Sequence, residues 1–75
     1  MKEEKEFLER QLQWTKEQIK ILDDMDEKLQ GMKMIAEYAS RNDLSSSERE
    51  ELNSELEKLK DEYDFLEKQR HTLLN

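Results

Sequence analysis

The chain carries a helical apolar repeat that is broken at one place only. Apolar residues recur at steps of three and four from Phe7 to Ala39, and a polar break follows at Arg41-Asn42-Asp43. A second repeat then runs from Leu52 to Leu74, and no proline interrupts either segment. Two amphipathic segments joined by a short polar break can bury their apolar stripes on each other by folding back. The pattern therefore predicts an all-α fold, a long antiparallel helical hairpin of coiled-coil character within a single domain, residues 1–75. Helix one is expected over about residues 3–40, the turn over about 41–45 and helix two over about 46–73.

Helix one has more apolar surface than one partner needs. Its main stripe reads Leu8, Leu12, Ile19, Leu22, Met25, Leu29, Met32, Ala36 and Ala39. Roughly 38 residues of helix make a rod about 57 Å long, a length normally stabilised only by coiled-coil or bundle packing. A second stripe runs beside the first at seven-residue spacing through Phe7, Trp14, Ile21 and Ile35, with Lys28 interrupting it. Two apolar positions per heptad suffice for a two-stranded seam, whereas a wider face suits a helix inside a bundle. Dimerisation of the hairpin into a four-helix bundle is the expectation. The steps from Ile19 to Leu22 to Met25 are three and three, which predicts a local register shift near Asp23.

The break has the chemistry of a helix stop followed by a helix start. Asn42 suits a left-handed C-cap, and Ser45 with Glu48 forms an S-x-x-E capping box, repeated by Ser47 with Glu50. Helix two follows as Leu52, Leu56, Leu59, Tyr63, Leu66, Arg70 and Leu73, a heptad seam interrupted only by the arginine. Folding back predicts pairs whose numbers sum to about 88: Ala36 with Leu52, Met32 with Leu56, Leu29 with Leu59, Met25 with Tyr63 and Leu22 with Leu66. On the same arithmetic Leu12 and Leu8 need partners past Asn75. Phe7, Leu8, Leu12 and part of Trp14 thus form an overhang, and each such side chain left in water forfeits about 1.5–3 kcal/mol. The predicted interface residues are Phe7, Leu8, Leu12, Trp14, Ile19, Ile21 and Ile35. Trp14 fits equally a homodimer core and an anchor for a different protein.

Charge and composition exclude several classes. The net charge is −7, with seven basic against ten acidic residues in positions 1–40 and six against ten in positions 41–75. Neither half offers the basic patch that nucleic acid or an anionic membrane requires, so neither is an expected partner. No apolar run is long enough to span a bilayer, and residues 1–6 lead into no signal-peptide segment. A cytoplasmic location is the default expectation, with signal-less export compatible with the same sequence. A chain of this length buries a core that supplies roughly 3–5 kcal/mol, and natural chains add disulfides, metal or a partner subunit. With no cysteine and a single histidine, His71, the first two are missing and association remains.

No residue constellation suggests catalysis, a metal site or a cofactor. Asp23-Asp24-Met25-Asp26-Glu27 lies within a helix and lacks the glycine turn and spacing of a calcium loop, so a solvated acidic face is expected. Ser45, Ser46 and Ser47 have no base nearby and read as caps, and His71 reads as a cation at a helix C-terminus. Met25, Met32 and Met34 read as core at helical spacing, with an adaptable binding surface as the other reading.

Two family resemblances follow from these stripes. Leu29-Gln30-Gly31-Met32-Lys33-Met34-Ile35-Ala36-Glu37-Tyr38-Ala39 resembles a flagellin stretch of the form LQRMRxLAxQA, and Leu44-Ser45, Glu48-Arg49, Leu52, Glu55-Leu56, Leu59 and Tyr63-Asp64 are similar to the capped second helix of that family's N-terminal hairpin. The family's N-terminal signature, its C-terminal partner helix and the arginine at position 31 are absent. The resemblance implies a structural packing surface. Residues 46–57 also resemble the small sporulation-regulating aspartyl-phosphate phosphatases, whose second helix reads S-P-E-x-L-x-L-S-Q-x-L-D, with Asn53 and Glu57 replacing the motif serine and aspartate. That resemblance implies docking on a response regulator. The expected function is a non-enzymatic, self-associating structural or protein-interaction module. The alternatives are a small regulator that docks on a signalling domain and a chaperone that holds an amphipathic helix.

Overall fold

The computed structural model describes residues 1–74 as two α-helices, α1 (Lys2–Arg41) and α2 (Ser46–Leu74), folded into a hairpin measuring 65 × 18 × 12 Å. The turn is held by side chains of both ends. At the start of α2 the Glu48 amide donates to Ser45 Oγ at 3.1 Å, and the same hydroxyl donates to Glu48 Oε1 at 3.1 Å. This is the capping box that the S-x-x-E spacing implies, with the carboxylate turned onto the hydroxyl. The second such spacing, Ser47 to Glu50, falls inside the helix.

Asn42 ends α1 in a different way from the left-handed cap. Its backbone is extended, with φ −120° and ψ 144°, and no residue other than glycine has a positive φ among those described. Its side-chain Nδ2 donates instead to the Tyr38 carbonyl at 2.8 Å, satisfying one of the last carbonyls of the helix from outside it. The pairing register lies close to the expected one: Lys28 meets Glu62 and Gly31 meets Leu59, pairs whose numbers sum to 90 where about 88 is expected.

Helix two presents the expected seam. Leu52, Leu56, Leu59, Tyr63, Leu66 and Arg70 are all half-buried, while Leu73 lies outside the described side chains. Helix one does not present its richest stripe. The residues turned inward are Gln18, Ile21, Met25, Lys28, Met32 and Ile35, which recur at steps of three and four through polar and apolar types alike, with Asp24 and Gly31 beside them. Met25 is 6% exposed and is the buried apolar side chain among the described residues, whereas Leu22 and Leu29 remain 45% and 48% exposed. Ala36 and Ala39 also face water.

Ile19 and Leu22 therefore belong to a different face from Met25, and their three-three spacing reflects two parallel seams, not a register shift. Gly31 shows why the hairpin uses this face. A Cβ built at Gly31 would lie 3.0 Å from Leu59 Cδ1, so the missing side chain is the notch into which Leu59 packs. An alanine there would gain about 1 kcal/mol of helix propensity and would oblige the end of the Leu59 side chain to move by a few tenths of an ångström.

Candidate interaction surface

One residue of α-helix is about 100° of rotation, so a stripe displaced by one position from the hairpin seam lies on the adjoining side of the rod. Ile19 follows Gln18, Leu22 follows Ile21 and Leu29 follows Lys28; all three lie on that adjoining side, in line with Leu8 and Leu12. Their exposures are 64% for Leu8, 55% for Leu12 and 52% for Ile19. Leu22 and Leu29 keep nearly half of their surface in water as well. Burying such side chains is worth about 1.5–3 kcal/mol each, which makes an apolar stripe of this length an interaction surface in its own right.

The overhang adds to it. With pairs summing to 90, Leu74 of α2 lies level with position 16 of α1, and the first turns of α1, through Leu12, lie beyond that level. Phe7 there is 55% exposed and Trp14 38% exposed. Of the residues that sequence pattern marks as interface, Leu8, Leu12 and Ile19 lie on this stripe, while Phe7 and Trp14 continue the line of Gln18 and Ile21 toward the start of α1. Ile21 and Ile35 are half-buried between the two helices and are taken up by the hairpin itself.

Two residues of the seam carry no apolar signal. Gln18 is 8% exposed and its Nε2 has no hydrogen-bond partner, an arrangement that costs about 1–3 kcal/mol when a donor is left dry. Lys28, which interrupts the second stripe, reaches across to Glu62 at 2.8 Å. Hydrogen bonding to Glu62 holds the Lys28 amine above its ordinary value, and the same bond holds the Glu62 carboxyl below its own. Both were detectable only as polar members of a strict four-three alternation.

The ion pair fixes a pH signature. A carboxyl whose folded pKa is depressed contributes stability above its unfolded value, and that contribution disappears as pH falls through the folded value. The difference in melting temperature between the wild type and Glu62→Gln is therefore expected to be constant above the ordinary carboxyl value of 4.5 and to close below it. Thermal melts followed by circular dichroism at intervals of pH check this. At the alkaline end the raised Lys28 value keeps its half of the pair charged until pH passes above 10.5.

Other chemistry is sparse. A shallow groove lined by Asp24, Lys28, Asp61, Glu62, Phe65 and Leu66 runs along the opposite flank of the hairpin from the leucine stripe. It is open to solvent along its length and its charged members already include the Lys28–Glu62 pair. No group of three or more acidic or histidine side chains could hold a metal ion among the described residues. No helix is long and apolar enough to cross a membrane among them. No protein family, curated protein or solved structure matches the chain.

Proposed function

We propose that this protein is a non-enzymatic, self-associating helical module whose hairpins dimerise into a four-helix bundle and act as a structural or protein-interaction element. One observation carries the reading: α1 bears two apolar seams about 100° apart, and α2 occupies one of them. A helix with two neighbours at about a right angle, as α1 would have between α2 and a second copy's α1, packs a seam against each. The overhanging Phe7, Leu8 and Leu12 add apolar surface to the same helix, and the acidic charge keeps the assembled rod in solution. We read the packing surface as flagellin-like in its heptads and capped second helix.

Absolute mass by light scattering during size exclusion, over concentrations down to low micromolar with Trp14 fluorescence in parallel, tests this. A mass twice that of the 9.2 kDa chain, with a blue-shifted Trp14 emission that reddens on dilution, is the expected result. A monomer at all concentrations defeats it and turns attention to a different partner. Docking on a response regulator is then the reading to pursue, since Asn53 and Glu57 both face solvent on α2.

A further inference from the structure

The leucine stripe has a direction written into its polar members. From Leu8 to Ala36 it alternates steps of four and three without exception, and Thr15, Asp26 and Lys33 stand at three of its positions. We infer that the stripe pairs with the same stripe of a second copy running antiparallel, in the register that brings together residues whose numbers sum to about 41. The inference rests on the self-association proposed above and adds which face meets which, and how.

A parallel, in-register pair sets each residue on its own copy. Asp26 would then face Asp26 and Lys33 would face Lys33 inside an apolar seam, two like-charge contacts that disfavour association. The antiparallel register removes both. Leu12 faces Leu29, Ile19 faces Leu22 and Thr15 faces Asp26, each contact made twice by the two-fold axis. Apolar side chains thus meet apolar ones and the two short polar side chains share a layer. Leu8 meets Lys33, whose methylene stem can cover it while the ammonium stays wet.

Flanking charges choose the same register. Next to the seam, Lys16 of one copy lies beside Asp23 of the other, an opposite-charge pair that also occurs twice. Sliding by one heptad in one direction, to pairs summing to 48, sets Asp23 on Asp23 and Leu22 on Asp26. Sliding the other way, to 34, sets Lys16 on Lys16 and Leu8 on Asp26. Only the middle register is complementary in both shape class and charge.

The hairpin's dimensions agree with that choice. Pairs summing to 41 are centred between residues 20 and 21, close to the midpoint of α1 (Lys2–Arg41), so the two long helices overlap along almost their whole length. The hairpin register then sets residues 51–64 of the second copy's α2 level with residues 2–15 of the first. A second copy is therefore the occupant that fits the stripe and its charges together.

Disulfide trapping tests the direction, and the chain's lack of cysteine makes it clean. Full-length Leu12→Cys and Leu29→Cys proteins are mixed in equal amounts and oxidised, and cross-linked peptides are identified by mass spectrometry. Both positions are exposed in the hairpin, so circular dichroism of each variant should match the wild type. The expected result is a dominant disulfide between position 12 of one copy and position 29 of the other. Positions 12 and 12 lie about 25 Å apart along the axis in this register, too far for a bond. Dominant 12–12 and 29–29 products overturn the inference in favour of a parallel dimer and leave self-association standing. A dimer by mass with no cross-link at any combination also overturns it, since a different face is then used. A wild-type monomer by light scattering overturns the inference and the proposed function together. A charge reversal supplies the second readout: Lys16→Glu should weaken the dimer on the order of ten-fold, and Asp23→Lys added to it should restore affinity. Failure of the double variant to recover counts against the register.

Discussion

Leu22→Glu is expected to leave a folded hairpin that no longer dimerises. Leu22 is 45% exposed in the hairpin, so the helix content and melting of the isolated chain should be nearly unchanged. In the antiparallel pairing the same residue faces Ile19 beside the two-fold axis, and symmetry places the new carboxylate there twice. Two charges in an apolar layer cost about 3 kcal/mol or more, at least a hundred-fold in the dimer Kd. Sedimentation equilibrium at tens of micromolar would show a single species at 9.2 kDa. Retention of the dimer by this variant would place the interface elsewhere.

Met25→Asp is expected to do the opposite, destroying the hairpin itself. Met25 is 6% exposed, and the half-buried Leu66 and Tyr63 lie near its level on α2. Replacing it removes about 2–3 kcal/mol of apolar burial and puts a carboxylate where nothing can pair with it, for a total of about 4 kcal/mol. A chain of this length holds roughly 3–5 kcal/mol, so the variant should have lost most of its ellipticity at 25 °C. Met25→Leu, which conserves volume, should stay within about 1.5 kcal/mol of the wild type. The pair of variants separates burial from mere substitution: equal melting of both would mean that Met25 is not the core.

The two helices respond differently to reading by pattern, for physical reasons. In α2 the apolar seam and the inward face coincide, because Leu52, Leu56, Leu59, Tyr63 and Leu66 occupy consecutive four-three positions and no second stripe competes. The start of that helix is legible as well, since Ser45 and Glu48 need only the three-residue spacing to bond each other. In α1, apolarity points to the wrong side. The leucine stripe outranks the hairpin seam, which contains Gln18 and Lys28, and no hydrophobic ranking would select a face with those residues in it. What decides is pairwise and therefore invisible in one helix: Leu59 needs the notch at Gly31, and Lys28 needs Glu62. Asn42 was legible as a helix end but not in its manner, because an asparagine can stop a helix by its backbone or by its amide. Of the residues marked as interface, Phe7, Leu8, Leu12, Trp14 and Ile19 are exposed in the hairpin, and Ile21 and Ile35 are half-buried.

The turn at residues 42–45 sets an order of events along the rod. Zipping a hairpin from a bonded turn closes short loops first, and each later pair encloses a longer stretch of chain at a slowly rising entropic cost. The Ser45 cap and the Asn42 amide secure one end, while the other end closes last around Gln18, whose amide lacks a partner. Amide exchange should therefore quicken steadily from Leu56 toward Arg70, with breathing greatest at the open end. In the antiparallel dimer proposed above, Gln18 of each molecule lies level with position 23 of its mate, so the two loosely closed ends would adjoin near the two-fold axis and their fraying would become a shared, cooperative event.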